Sequence, residues 1–325
     1  MRVSFHVPES RVKRTGNRCT AAQWAEILTS LGHEVVEASA DAVDVLIALH
    51  AGFSHDAIRQ FRRSQPAGKL IVALTGSDIY PAPDERVLGS IELADRVVIL
   101  QPKARDQIPE RFREKVRVII QSAQQLLSAE RLIPSESTFD VCVVGHFRDV
   151  KDPLRAAAAS RLLSEDSTIQ IRHAGGILEP KYHELVEREA ETNRRFQWLG
   201  ELDENAVADL IASSRLMVIS SEFEGGARVV GEATVLGTPT ISSRIAGVVG
   251  LLGDDYPGYF PPGDTAALAE LLRRAETDPQ FLEQLNRRTD ELAPQFHPDR
   301  ETEGWKKLIE ELRDDSAAAD SQPMG

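Results

Sequence analysis

Cysteine is nearly missing from this 325-residue chain: Cys19 and Cys142 are the only two, and they lie in different halves. Neither a disulfide framework nor a thiolate metal cage can be built from such a pair, and both side chains read as small buried hydrophobes. Apolar runs such as "LIVAL" and "RVVIL" are far too short to cross a bilayer. The N-terminus alternates like a strand instead of carrying a signal-peptide core, so a cytoplasmic protein is expected. Positive charge is scarce, with 38 Lys plus Arg against 51 Asp plus Glu and a net charge of -13. That balance argues against duplex nucleic acid or an anionic membrane as the main partner, because summed repulsion slows both encounters. Glycine is short where a dinucleotide fold needs it: "TGNRCTAA" offers one, that fingerprint needs three, and the phosphate-loop "GK[ST]" is absent too. The histidines lack zinc spacing and the Asp254–Asp255 pair falls in a Pro and Gly turn, so neither a metal nor another cofactor is expected.

What is present points to an α/β protein. At 42% hydrophobic residues the chain can bury a substantial core. Short Val, Ile and Leu runs alternate with longer amphipathic stretches throughout, the pattern of helices on both faces of mostly parallel sheets. "RVSFHV", "VDVLIALH", "KLIVALT", "DRVVIL" and "VRVIIQ" predict one sheet, with a helix from Thr20 to Leu31 among its crossovers. "FDVCVVG", "TIQIRHA", "FQWLG", "RLMVIS" and "TPTIS" predict a second. The polar segment between the two sets contains Pro134, placing a boundary near residue 135. The expected organisation is a Rossmann-like domain over 1–135, a second over 136–295, a terminal helix over 296–313 packing back on the first, and a disordered tail over 314–325. Hinges near residue 135 and near Pro294 would allow closure.

In open α/β sheets ligands bind beyond the carboxyl ends of the strands, so the loops there are the candidate sites. The opening segment gathers Arg2, Arg11, Lys13, Arg14 and Arg18 against one acid, Glu9, in a protein that is acidic overall. Thr15, Gly16 and Asn17 lie inside that cluster, and a helix beginning near Thr20 would aim free amides back at it. An anion site and a patch of solvated charges are the two readings. Thr20 is at least a candidate N-cap, and Cys19 is either an activated thiol or a packing residue. Later strand ends supply His50, Thr75, Asp78 and His173. Either histidine transfers a proton or is hydrogen-bonded structurally, and Asp78 contacts hydroxyls or caps the next helix. All these loops are expected to converge on an interdomain cleft.

The densest constellation is "SSEFEGGARVVGEATVLGTP". Gly225 and Gly226 open a helix that Gly237 and Pro239 close, so bare amides can face a phosphate. Glu224 precedes them and Glu232 lies in the second helical turn, among Val229, Ala233 and Leu236, where a carboxylate needs a partner. Ribose hydroxyls would serve, and so would an i to i−4 pair with Arg228. In "VGHFRDVKDPLRAA", Arg148 and Lys151 follow a strand and can take up a leaving diphosphate's charge without a metal, unless Asp149 and Asp152 neutralise them.

"EGGARVVGE", with Lys151 six residues after Gly145, resembles the retaining family 4 glycosyltransferases. That resemblance implies the GT-B fold, two Rossmann-like doubly wound domains facing a cleft. It implies a UDP-sugar donor whose ribose meets Glu232, whose diphosphate meets Gly225 and Gly226, and whose sugar meets Glu224, with His173 and Gly175 also on the donor side. Arg148 and Lys151 would meet the departing charge, although His146 stands where the family carries an arginine. "RTGNRCTAAQWAEILTSLGHEV", "ALTGSDIY", "VGHFRDVKDP", "HAGG" and "LLGDDYPGYFPPGDTAAL" are together similar to the selenosugar synthases of selenoneine biosynthesis. Those join selenophosphate to a UDP-sugar, and the likeness gives Arg11, Lys13, Arg14, Thr15, Gly16, Asn17, Arg18, His50, Thr75 and Asp78 to the acceptor. An ordinary glycosyltransferase with a hydroxyl acceptor, and a nucleotide-sugar-binding regulator without turnover, are the competing readings. Both leave room for a homo-oligomer.

Overall fold

The computed structural model describes residues 1–8, 16–37, 43–123 and 137–320. The chain forms two compact units: Met1–Gln121 together with the chain from Pro298 onward, and Ser122–His297. Residue 135 itself lies outside the described residues. The division falls earlier than expected because Gln121 bonds to Thr20 in the first unit, whereas the Ala123 amide donates to the Phe296 carbonyl in the second.

The first unit holds strands β1 (Arg2–His6), β2 (Glu34–Val36), β3 (Val45–Leu49), β4 (Lys69–Leu74), β5 (Arg96–Ile99) and β6 (Val116–Val118). They pair in the order β2-β1-β3-β4-β5-β6, parallel throughout. Every residue of β3 is buried, as a central strand covered on both faces requires. The helices are α1 (Gly16–Ser30), α2 (His55–Ser64), α3 (Glu85–Leu93) and the C-terminal α11 (Pro298–Asp320).

Helix α1 is already under way at Gly16, four residues ahead of the start that its pattern suggests. Thr20 is therefore not an N-cap. It shares one buried stripe with Trp24 and Leu28, and its hydroxyl accepts from the Gln121 amide at 2.7 Å. Gly16 and Asn17 lie in the first helical turn, not in a tight loop, and a Cβ on Gly16 would meet nothing within 4 Å. Helix α11 likewise continues past Arg313 to Asp320, through a run of alanines with high helix propensity, and the rest of the expected tail, 321–325, lies outside the described residues.

The core of this unit centres on two indoles, Trp24 from α1 and Trp305 from α11, both fully buried with ring centroids 4.7 Å apart at 63°. Val3, Ile47, Val98, Leu308 and Leu312 belong to the same cluster. Buried Glu301 accepts from Trp24 Nε1 at 2.7 Å and from Gln23 Nε2 at 2.6 Å, which satisfies the indole inside the core.

The second unit holds β7 (Phe139–Val144), β8 (Ile169–Ala174), β9 (Phe196–Trp198), β10 (Leu216–Ile219), β11 (Thr240–Ser243) and β12 (Tyr259–Phe260), in the parallel order β12-β11-β10-β7-β8-β9. Helices α4 (Arg155–Ser160), α5 (Tyr182–Thr192), α6 (Glu204–Ala212), α7 (Arg228–Val235), α8 (Ala246–Leu252), α9 (Thr265–Thr277) and α10 (Pro279–Leu292) make its crossovers and outer layers. Strand order reverses between β7 and β10, so this sheet's topological switch point opens between their carboxyl ends. Among the described residues no helix is long and apolar enough to cross a membrane.

Because Trp305 fills the space against Trp24, Trp305→Ala should cost the first unit about 3–5 kcal/mol. Urea unfolding would read this as a lowered midpoint, with the native far-UV spectrum retained at zero denaturant.

Candidate active site

The two strands that flank the switch point carry the two motifs. After β7 come Gly145, His146, Phe147 and Arg148, then a single 3₁₀ turn, Asp149–Lys151. After β10 come Ser220 and Ser221, then Glu222 to Gly226 and α7. Hydrogen bonds tie the segments together: the Glu222 amide donates to Val150 O at 2.9 Å, and Ser220 Oγ donates to Lys151 O at 3.1 Å and Asp152 O at 2.8 Å. This brings Lys151 Nζ onto Glu224 Oε1 as an ion pair, to which Ser221 Oγ also donates at 2.7 Å.

The acids beside the two cations are engaged elsewhere. Asp152, in the left-handed region at φ 43°, pairs with Arg155 at 2.6 Å, and Asp149 pairs with Lys181 and accepts from Tyr182 Oη at 2.9 Å. Arg148 is exposed, and its guanidinium makes no hydrogen bond or ion pair among the described residues. An exposed arginine beside a lysine whose neighbouring acids are already paired is suited to receiving an anion.

Glu224 is fixed from behind by α8. A Cβ on Gly247 would lie 2.0 Å from the Glu224 carbonyl oxygen, so only glycine permits this approach. Gly225 is buried and Gly226 half-buried ahead of α7. Glu232 has a partner within its own helix, because Arg228 Nε donates to its Oε1 at 2.9 Å. The i to i−4 pair thus supplies what the apolar neighbours of this carboxylate demanded.

Two residues assigned to the donor side by resemblance, His173 and Gly175, have packing roles in the structure. His173 is buried; its Nε2 donates to Gly145 O at 2.8 Å, and its ring stacks on Phe147 at 4.2 Å. Burial drives its pKa down to about 4, against a smaller opposing effect of the Gly145 bond. A neutral, enclosed imidazole does not exchange protons with a ligand. Gly175 lets β8 pass tightly against Gly145, since a Cβ there would stand 2.0 Å from Gly145 O. Their joint effect is to fix Gly145 and His146. His146 Nδ1 accepts from the Gly176 amide at 3.0 Å, which leaves its hydrogen on Nε2. Its pKa is lowered, chiefly by burial, with Glu201 opposing and Arg148 and Lys151 adding to the effect.

In the first unit, His50 directly follows β3, with φ 65°. Its Nδ1 accepts from the Phe53 amide at 3.3 Å, so Nε2 donates to exposed Ser77 Oγ at 3.0 Å and leaves the serine hydrogen free. Phe53 stacks on the imidazole at 4.0 Å and is 71% exposed. Asp78 is buried and accepts from the amides of Ala51, Thr75 and Gly76 at 3.0, 3.0 and 2.8 Å. Asp84, not Asp78, caps the next helix; Asp78 shapes the loop that carries Thr75 and Ser77. Burial raises its pKa, with His50 and the backbone donors pulling the other way. Arg11, Lys13, Arg14 and Thr15 lie outside the described residues, while Gly16, Asn17 and Arg18 begin α1. Cys19 is half-buried, and burial pushes the Cys142 thiol up to about 12, which leaves it unreactive. Among the described residues no group of three or more His, Cys, Asp or Glu is placed to hold a metal ion.

Two parallel α/β units, the second with a cationic turn facing a Glu-bearing loop across its switch point, define the GT-B class of glycosyltransferase fold. Residues 126–292 match the family model described as glycosyl transferases group 1, and the chain belongs to that family. No curated protein matches significantly. Among solved structures, Anabaena HepE in complex with UDP and glucose is similar at 15% identity, with 96% of this chain and 100% of that one covered and a TM-score of 0.76. The sucrose-phosphate synthase of Thermosynechococcus elongatus is similar at 16% identity, with coverages of 96% and 98% and a TM-score of 0.77. A Rickettsia africae glycosyltransferase follows at 15% identity, coverages of 96% and 98%, and a TM-score of 0.74.

The buried imidazole makes the stability of the second unit depend on pH. The His173 pKa lies below its ordinary value of 6.5, so between pH 6.5 and about 4 the unfolded chain binds the extra proton. Stability should therefore fall as pH drops through that window, by up to about 3 kcal/mol in all. In His173→Leu that part of the slope should vanish, which paired urea titrations at pH 7 and pH 4.5 would read.

Proposed function

We propose that this glycosyltransferase takes its sugar from a UDP-sugar, UDP-N-acetylglucosamine in our reading, and transfers it to selenophosphate to give a selenosugar of selenoneine biosynthesis. The observation that carries the donor half is the Lys151–Glu224 pair at the switch point, beside an Arg148 whose neighbouring acids are bound elsewhere. The UDP and UDP-glucose complexes of the similar Anabaena protein support a uridine donor. In this reading Lys151, Arg148 and the amides of Gly225 and Gly226 take up diphosphate charge as the bond to the anomeric carbon breaks. Glu224 accepts from sugar hydroxyls and Glu232 from the ribose. Selenium attacks the anomeric carbon, the carbon–oxygen electron pair leaves with UDP, and the product carries a carbon–selenium bond with phosphate still on selenium. A nucleophile that is already anionic needs little general-base help. The acceptor half rests on the sequence resemblance and on the cations Arg11, Lys13, Arg14 and Arg18.

A second reading, transfer to a hydroxyl acceptor, is favoured by one observation. His50, Ser77 and the exposed Phe53 ring present a hydrogen-bonding group beside apolar surface, which suits a neutral acceptor better than a small oxyanion.

Incubation with UDP-N-acetylglucosamine and selenophosphate, followed by mass spectrometry, should yield UDP and a selenium-containing sugar. Release of UDP with hydroxyl acceptors alone would reject selenophosphate. Lys151→Ala should lower kcat/KM for the donor by about 10²–10³-fold. Arg14→Ala should raise KM for selenophosphate by about tenfold and leave the donor KM unchanged. Equal effects on both substrates would contradict a separate acceptor role for Arg14.

A further inference from the structure

Lys181 lies outside both motifs, at the start of α5, yet its ammonium reaches into the cationic turn. It contacts Asp149 Oδ1 and stands 3.7 Å from Glu179 Oε2. Tyr182 Oη donates to the same Asp149 oxygen at 2.9 Å, and both carboxylate oxygens of Glu179 accept from the Asp149 amide at 3.2 Å. Asp149 directly follows Arg148 in the chain, so its carboxylate is a competitor for that guanidinium. Instead it is turned toward α5, and the Lys181 hydrogen bond, followed by that of Tyr182, holds its pKa below the usual carboxylate range. The remaining charges around the turn are paired in the same manner: Asp152 with Arg155, and Lys151 with Glu224. His146 stays neutral beside them.

A negative charge left bare at this point would repel an incoming anion and draw Arg148 onto itself. Resting on the donor-site reading above, we propose that Lys181 is a positioning residue for anion binding: it holds Asp149 neutralised and turned toward α5, so that Arg148 meets the donor's diphosphate without competition from the carboxylate next to it in the chain, while Lys151 exchanges Glu224 for the same group. The effect is electrostatic and works through a pair that is half exposed, so it is modest in size and sensitive to salt.

The experiment titrates UDP, and separately inorganic pyrophosphate, into wild type, Lys181→Ala, Lys181→Arg, Asp149→Asn and the double variant Lys181→Ala/Asp149→Asn. Calorimetry at low and high salt gives the affinities, and Tm is measured alongside. Lys181→Ala should weaken both anions about three- to fivefold at low salt, with the loss shrinking as salt rises. Lys181→Arg should bind as wild type does. The double variant should return to within about twofold of wild type, because the carboxylate that Lys181 restrains is gone. A double variant as weak as Lys181→Ala alone, or a loss that ignores salt, overturns the proposal: a purely structural bolt would make Asp149→Asn lose affinity and Tm together. Wild type that binds pyrophosphate but not UDP rejects the uridine donor and leaves Lys181 to be judged on pyrophosphate. Binding of neither anion overturns both.

Discussion

The ion pair between Lys151 and Glu224 sets the geometry on which the second unit's site depends. Its two side chains come from loops 73 positions apart, and they meet because β7 and β10 are adjacent strands whose crossovers leave in opposite directions. Hydrogen bonds from the Ser220 hydroxyl and the Glu222 amide hold the second loop against the first, and Gly247 lets α8 press on the Glu224 carbonyl. A carboxylate and an ammonium this close restrain each other only if both backbones are held, since long side chains otherwise lose more entropy than a partly exposed pair returns. The glycine, the serine and the sheet order therefore act on one contact.

The fold was largely legible because its signal is local. All ten strands expected from Val, Ile and Leu runs are present, since a strand buried on both faces must be apolar at nearly every position. The two strands that escaped notice, β2 and β12, each lie at one edge of their sheet. β2 is three residues with two exposed positions, and β12 is two residues between Gly and Pro. An edge strand needs neither length nor continuous apolarity, so its pattern carries little information. The start of α1 was misplaced for a related reason. Thr20 has the chemistry of a cap, and only the partner that it finds in Gln121, 101 positions away, shows that the hydroxyl is used inside the core.

The site was legible in part, and the division follows the range of the interactions. Lys151, Glu224, Gly225 and Glu232 belong to short motifs whose spacing reflects one loop and one helix. Gly247 and Lys181 act across the sheet end on residues tens of positions away, so no spacing could have linked them to the site. Charge was the most misleading guide. Read along the chain, Arg148, Asp149, Lys151 and Asp152 cancel. Folded into one 3₁₀ turn with Asp152 left-handed, the acids point to Lys181 and Arg155 and the cations do not meet them. For His173 the sequence left two roles open, because the end of a parallel strand is where ligands bind and also where a buried ring can lock the neighbouring strand; the bond to Gly145 O and the stack on Phe147 fit the second.

The pairing of Lys151 with Glu224 also bears on which anions the site can hold. A ligand that takes Lys151 must replace a full negative charge at contact distance, worth about 4 kcal/mol near 4 Å at an effective dielectric of 20, and must leave Glu224 with another donor. A monoanion that offers only its charge exchanges one such contact for another and strands a partly buried carboxylate. A ligand with more than one negative charge reaches Lys151 and Arg148 together, and hydroxyl groups on the same molecule can satisfy the released Glu224. The Lys151–Glu224 pair thus disfavours simple anions and favours one molecule that joins a polyanion to a hydroxyl-bearing group, which is the chemistry of a nucleotide sugar.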